Sequence, residues 1–290
     1  MWFVYALAGA FGKSYSGLFR KKLANNVSTS MFLWISSFIT LVIMIPFALT
    51  RGDQIVNAFM QSPVVILGAA LSLMVATFMN LEALKREELS YVAPLNAFVP
   101  VFTLIIASTF LGENPPPQGI LGLAAIFIGA YIISMKPGKV KWYDPIKRLF
   151  TSVGALLSIG VSFLYAVNTV FLKQASNQGY DGFAILFCTT LVPFVLLLFV
   201  PFVQRKELRK ALKSDKANLA GAAVSSFAGQ FFNILAVAGT YASYAVSVRR
   251  FESIISVFLG WRYLKETNIR NKLIGSGFMV VGAVVMAFFH

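Results

Sequence analysis

The chain has 290 residues, 58% of them apolar and only 12% charged, with 28 Phe and a mean hydropathy of +0.74. Soluble domains carry roughly a quarter charged residues, so this composition excludes a soluble protein and indicates one that crosses a membrane repeatedly. The formal charge of +14 lies mainly in short loops between apolar runs, where topology and lipid headgroups account for it and nucleic acid is excluded as a partner.

Crossing a hydrocarbon layer of ~30 Å takes about 20 helical residues. Five apolar stretches approach that length at residues 2–19, 29–50, 63–84, 90–111 and 117–135, and five more at 151–172, 182–203, 218–240, 242–264 and 271–289. Hydrocarbon offers no partner to a free backbone group, and these runs lack the alternation of barrel strands, so the expected fold is an all-α membrane protein with ten transmembrane helices. No basic residue precedes span 1 and no A-x-A-like cleavage site follows it, which reads as a retained helix rather than a signal peptide. Residues 137–150 (PGKVKWYDPIKRLF) form a charged, proline-bearing linker between a first unit, 1–136, and a second, 151–290. Cys188 is alone, so no internal disulfide forms.

The two units repeat at a spacing of 153 residues. Gly68, Ala69, Ala70, Ser72, Phe78, Asn80 and Ala83 recur as Gly221, Ala222, Ala223, Ser225, Phe231, Asn233 and Ala236. Ser90, Tyr91, Phe98, Leu111, Glu113, Gly122 and Gly129 recur as Ser243, Tyr244, Phe251, Leu264, Glu266, Gly275 and Gly282. An odd number of spans per unit makes the second copy cross in the opposite sense. Basic residues agree: three follow span 1, two span 3, five span 5, six span 7 and four span 9, whereas the opposite face has only Arg51 and Lys173. The fold expected is therefore two inverted five-helix repeats, with the linker cytoplasmic and both termini outside. Inverted repeats provide two conformations, open to opposite sides, about a site at the midplane.

Each half ends in helix, turn, helix: PLNAFVPVFTLIIASTFLGENPPPQGILGLAAIFIGAYIIS, then SVRRFESIISVFLGWRYLKETNIRNKLIGSGFMVVGAVVMAF. This layout, with its paired Leu111-Gly112-Glu113 and Leu264-Lys265-Glu266 turns, resembles the EamA-type branch of the drug/metabolite transporter superfamily. The resemblance implies a metabolite exporter or importer whose cavity is built by spans 1, 3, 4, 6, 8 and 9. The expected location is a prokaryotic plasma membrane.

A charge at membrane depth costs at least ~2.5 kcal/mol and persists only against protein or water. Arg249 and Arg250 lie in span 9, Arg250 eight residues past Ala242, or about 12 Å into the helix. Helical spacing puts Arg249, Glu252, Ser253 and Ser256 on one face and turns Arg250 elsewhere, towards Ser247. Two readings stand side by side: an Arg clamping an anionic cargo group through its planar fork, or an Arg249–Glu252 bridge that only holds helices. The Arg pair resembles a Lys-Arg pair placed there by organic-phosphate antiporters of the superfamily. Lys13 in span 1 argues against cationic cargo, since small multidrug relatives keep a glutamate in their first helix. Asn96, Tyr165, Asn168 and Gln230 complete the candidate substrate-binding set, and Glu252 is the candidate proton carrier if transport is proton-coupled. Pro94 and Pro100 have no counterparts in span 9, so a bend is expected in span 4 and not in span 9.

The expected function is a secondary transporter moving a small anionic or zwitterionic metabolite by alternating access, as monomer or homodimer, coupled to protons or working by exchange. A flippase for a lipid or lipid-linked precursor with an anionic headgroup is the alternative. An enzyme is not expected: the one His is His290, and no metal-ligand spacing, nucleophile elbow or phosphate loop appears, so no cofactor or metal is called for.

Overall fold

A computed structural model describes residues 1–110, 119–135 and 143–288. The Leu111-Gly112-Glu113 turn, the part of the linker before Tyr143, and the terminal Phe289 and His290 lie outside the described residues. Among those described, the first half forms α1 (Trp2–Leu23), α2 (Thr29–Thr50), α3 (Gly52–Gln61), α4 (Pro63–Arg86) and α5 (Leu89–Leu95). A 3₁₀ turn (Asn96–Phe98), α6 (Val99–Phe110) and α7 (Gly119–Ser134) follow. The second half forms α8 (Asp144–Thr151), α9 (Val153–Asn177), α10 (Gly182–Leu196), α11 (Val200–Val203) and α12 (Arg205–Ser214). It ends with α13 (Lys216–Ala238), α14 (Ala242–Arg249), α15 (Phe251–Leu264) and α16 (Ile269–Phe288). No strand occurs among the described residues.

Six helical stretches are long and apolar enough to cross a membrane: Thr29–Thr50, Pro63–Arg86, Leu89–Phe110, Val153–Asn177, Gly182–Val203 and Lys216–Ala238. The expected spans 1, 5, 9 and 10 are helical as well. Of these, α1 carries Lys13 and a basic last turn, α7 has 16 residues, and span 9 is interrupted between α14 and α15. α1 also runs to Leu23, so Arg20, Lys21 and Lys22 belong to its last turn rather than to a loop after it.

Equivalent residues of the halves make equivalent contacts. Ser28 and Asp181, 153 apart, N-cap α2 and α10 by accepting from Met31 N and Phe183 N. α1 packs along α13 and α4 along α9. Gly221 faces the Phe19 ring and Gly68 the Phe171 ring, so a small residue on each third helix receives an aromatic from the first helix of the other half. The first helices are related at 152 rather than 153, one residue short of the register of the rest. Lys21 Nζ donates to the carbonyls of Leu84 and Glu87 at 2.5 and 2.7 Å, and Lys173, 152 residues on, donates to those of Val237 and Thr240 at 3.3 and 2.9 Å. Each lysine thereby satisfies carbonyls left open at the end of a helix. The last helices, α7 and α16, cross at two equivalent points, Gly129 against Gly275 and Gly282 against Gly122, where a Cβ would meet backbone. Such small residues let membrane helices approach closely.

Both fourth helices are broken at the same place, which corrects the expectation of a bend in span 4 alone. In span 4, Pro100 has no N–H for the Asn96 carbonyl, and the chain tightens so that Val99 N donates there instead. Span 9 has no proline, yet Arg250 N bonds to Ser247 O at 3.1 Å and Ser253 N to Arg250 O at 2.9 Å, both tightened turns. The Val246 carbonyl, which Arg250 N would reach in a regular helix, accepts from the Arg250 side chain instead, Nε to O 3.0 Å.

Glu266 explains the Leu-x-Glu turn of the second half. Lys265 closes α15 in a left-handed conformation (φ 54°), which turns the Glu266 carboxylate back across Gly260, where any Cβ would collide with it. From there Oε1 and Oε2 accept from Leu89 N and Ser90 N, each at 2.8 Å, so the carboxylate caps α5 in the other half. Lys272, buried beside it, donates to Ser90 Oγ at 2.6 Å and pairs with Glu88.

Candidate functional site

Two cavities meet at Lys13. The larger is an open cleft between α1, α2, α4, α10 and α13, with about 710 Å³ of empty space when the solvent at its mouth is included. Its walls include Lys13, Ser16 and Arg20 of α1, with Ser37, Thr77, Thr189, Ser226 and Gln230, and hold no acidic residue. The smaller, about 300 Å³, lies towards α5 and α15 and is lined by Lys13, Asn80, Asn96, Glu252 and Ser256 among others. The resemblance implies walls from spans 1, 3, 4, 6, 8 and 9. The larger cavity instead draws on spans 2 and 7, because spans 4, 6 and 9 close on each other: Ser162 Oγ lies 3.1 Å from Leu95 O and Arg250 Nη1 donates to Asn96 O at 2.5 Å.

Basic residues converge on the bundle centre. Lys13 Nζ donates to the Tyr165 hydroxyl at 2.6 Å, and those two positions are 152 apart, equivalent in the two halves. The Arg20 guanidinium lies beside the same phenol. Its Nη2 donates to Ser226 Oγ at 3.2 Å, its Cζ stands 5.4 Å from the Phe32 ring centroid, and its Nε and Nη1 have no hydrogen-bond partner although the residue is 7% exposed. Ser226 Oγ also lies 2.6 Å from Ser16 Oγ.

Arg249 and Arg250 are buried, and both turn to Glu252, also buried. Arg249 Nε lies 3.9 Å from Glu252 Oε2 and Arg250 Nη1 lies 3.3 Å from Oε1. Helical spacing turned Arg250 away from that face, but the break at Arg250 removes the regular helix on which the spacing depends. Arg249 Nε, Arg250 Nη2, Glu252 Oε2 and Asn96 Oδ1 are buried without hydrogen-bond partners. Neither arginine lines either cavity.

Of the remaining candidates, Gln230 lines the larger cavity and Asn96 the smaller. Tyr165 stands behind Lys13, and Asn168 Nδ2 donates to Ala69 O at 2.8 Å, joining α9 to α4. Arg20 was missed, being counted among the loop charges after span 1. Its signal was present: it lies seven residues from Lys13 and four from Ser16, on one helical face.

An all-helical bundle with internally related halves and a polar, basic cavity at its centre is the architecture of a membrane transporter. The EamA-like transporter family matches residues 1–135 and 152–288, and the chain belongs to that family, part of the drug/metabolite transporter superfamily. Its members are generally non-enzymatic. No curated protein matches. Among solved structures, one described only as "Crystal structure of protein" is similar in fold, with a TM-score of 0.66 over 98% of this chain and 96% of that one at 15% identity.

Proposed function

We propose that the protein carries a small anionic metabolite across the membrane by alternating access. The observation behind this reading is an imbalance of charge. Lys13, Arg20, Arg249 and Arg250 gather at the centre of the bundle, and Glu252 is the one carboxylate among the described residues that faces them. Buried charges without counter-charges are costly, and an anion in the cavity offsets that cost.

In this reading Lys13 and Gln230 meet the cargo, Tyr165 and Asn96 orient the surrounding groups, and Asn168 fixes α9. Arg249, Arg250 and Glu252 form the element that rearranges between the two access states, with Glu252 the carrier if protons are coupled. The chain crosses the membrane ten times, as two inverted units with both termini outside, which the loop charges and the exchanged contacts of the halves support.

Counterflow in proteoliposomes tests the reading. Vesicles preloaded with a mixture of small organic anions are expected to take up labelled anions faster than empty vesicles. Cations and neutral solutes of similar size are expected to give no such stimulation, and stimulation by them alone would overturn the proposal.

A further inference from the structure

The larger cavity carries more information than its charge. Thr77 Oγ1 donates to Leu73 O at 2.9 Å, Thr189 Oγ1 to Ile185 O at 2.8 Å and Thr190 Oγ1 to Leu186 O at 2.7 Å. A hydroxyl has one proton to donate, so these threonines, which line the cavity, offer it oxygen lone pairs only. Arg20 and Lys13 on the facing α1 offer donors only. One side of the cavity therefore matches a group that accepts, and the other a group that donates.

An anion's oxygens only accept and satisfy the first side. The second side calls for donors on the same molecule. An ammonium would supply them, but it would lie in a cavity already holding two cations and no carboxylate. Neutral hydroxyls supply them without that repulsion. Both cations lie against the Tyr165 phenol, but Arg20 is the better anion ligand: it is more than nine-tenths buried with Nε and Nη1 unpartnered, and its planar fork suits a phosphate or carboxylate. The Ser16 and Ser226 hydroxyls stand beside it.

We infer that the larger cavity is a binding site for a hydroxylated organic anion, with its phosphate or carboxylate on Arg20 and its hydroxyls on Thr77, Thr189 and Thr190. The inference rests on the proposed anion transport and adds the substrate class and the residue that selects it.

The test measures binding by thermal shift and calorimetry on the purified full chain. The probes are glycerol 3-phosphate and glycerate, their hydroxyl-free counterparts propyl phosphate and propionate, and glycerol. The hydroxylated anions are expected to bind at least tenfold more tightly than their counterparts, and glycerol not to bind. Arg20→Gln should weaken both hydroxylated anions by about a hundredfold, with Arg20→Lys intermediate; both variants are first checked for the wild-type melting temperature without ligand. Thr77→Val, Thr189→Val and Thr190→Val combined should bring glycerate down to the affinity of propionate while leaving propionate unchanged. In nanodiscs, competition by phosphatidylglycerol against glycerol 3-phosphate would assign the same site to a lipid headgroup, and its absence to a free metabolite.

Equal affinity for propyl phosphate and glycerol 3-phosphate, or wild-type binding by Arg20→Gln, overturns the inference while anion transport stands. If no anion binds at all, the broader reading fails with it.

Discussion

Arg250 Nη1 lies 2.5 Å from the Asn96 carbonyl oxygen, so the break in one fourth helix is bridged by the residue that breaks the other. Pro100 opens the acceptor and Arg250 supplies the donor, while Arg250 Nε answers the Val246 carbonyl within its own helix. A single guanidinium thus serves both interruptions and Glu252 as well.

Replacing Arg250 by Met leaves Glu252 and the two carbonyls without it in a buried setting. Removing one partner of a buried ion pair costs about 3–5 kcal/mol, and a loss of that order is expected in chemical denaturation. Arg250→Met with Glu252→Gln should lose more still, because Arg249, whose Nε lies 3.9 Å from Glu252 Oε2, is then left without its carboxylate. If the single variant is as stable as the wild type, Arg250 does not bridge the breaks.

Lys13→Tyr and Tyr165→Lys form an exchange test. Because the positions are equivalent, the double variant restores one ammonium facing one phenol. Each single change should cost about 1–3 kcal/mol, the range for a buried polar group left without its partner, and the double variant should be more stable than either. A double variant as unstable as the sum of the singles would show that the surroundings of the two positions are not interchangeable.

Glu266→Gln keeps the shape of the carboxylate and removes its charge from the first turn of α5. Charged hydrogen bonds to backbone N–H groups are roughly twice as strong as neutral ones, and a loss of about 1–2 kcal/mol is expected. Hydrogen exchange at Leu89 and Ser90 should accelerate in this variant before it does elsewhere in the molecule.

Gly129→Leu drives a side chain into Met279 and the Gly275 backbone. Overpacking costs typically about 1–3 kcal/mol. The effect should appear as a lower melting temperature, and Gly282→Leu at the equivalent crossing should match it. Gly277, with open space around it, serves as the control.

Topology is open to labelling. In a Cys188→Ala background, a cysteine at Lys213 should react with impermeant reagents only after the membrane is opened, since the loop charges put this segment in the cytoplasm. Labelling of intact cells would reverse the orientation.

The sequence carried the repeat because the third to fifth helices kept both residue identity and register. It did not carry the relation of the first helices, where the register slips by one residue and pairs such as Lys13 and Tyr165 differ in type. Helical spacing placed Arg249 beside Glu252 but misdirected Arg250, since a periodicity argument assumes an unbroken helix and the break lies at that residue. Arg20 escaped notice for a related reason: its charge, next to Lys21 and Lys22, reads as a helix end, and only the packing of α2 and α13 over it reveals burial. The Leu-x-Glu turn was visible as a pattern, yet its purpose needed the partner helix, which lies 176 and 177 residues away in sequence.

The equivalence of Lys13 and Tyr165 has a bearing on descent. In an assembly of two identical five-helix chains, this position would face its own copy, as two lysines repelling each other or two phenols with no cation between them. The glycine crossings of α7 and α16 tolerate such sameness, but a donor facing an acceptor does not. Joining the two units in one chain lets the residues at their meeting point diverge, and the polarity of the cavity follows from that freedom.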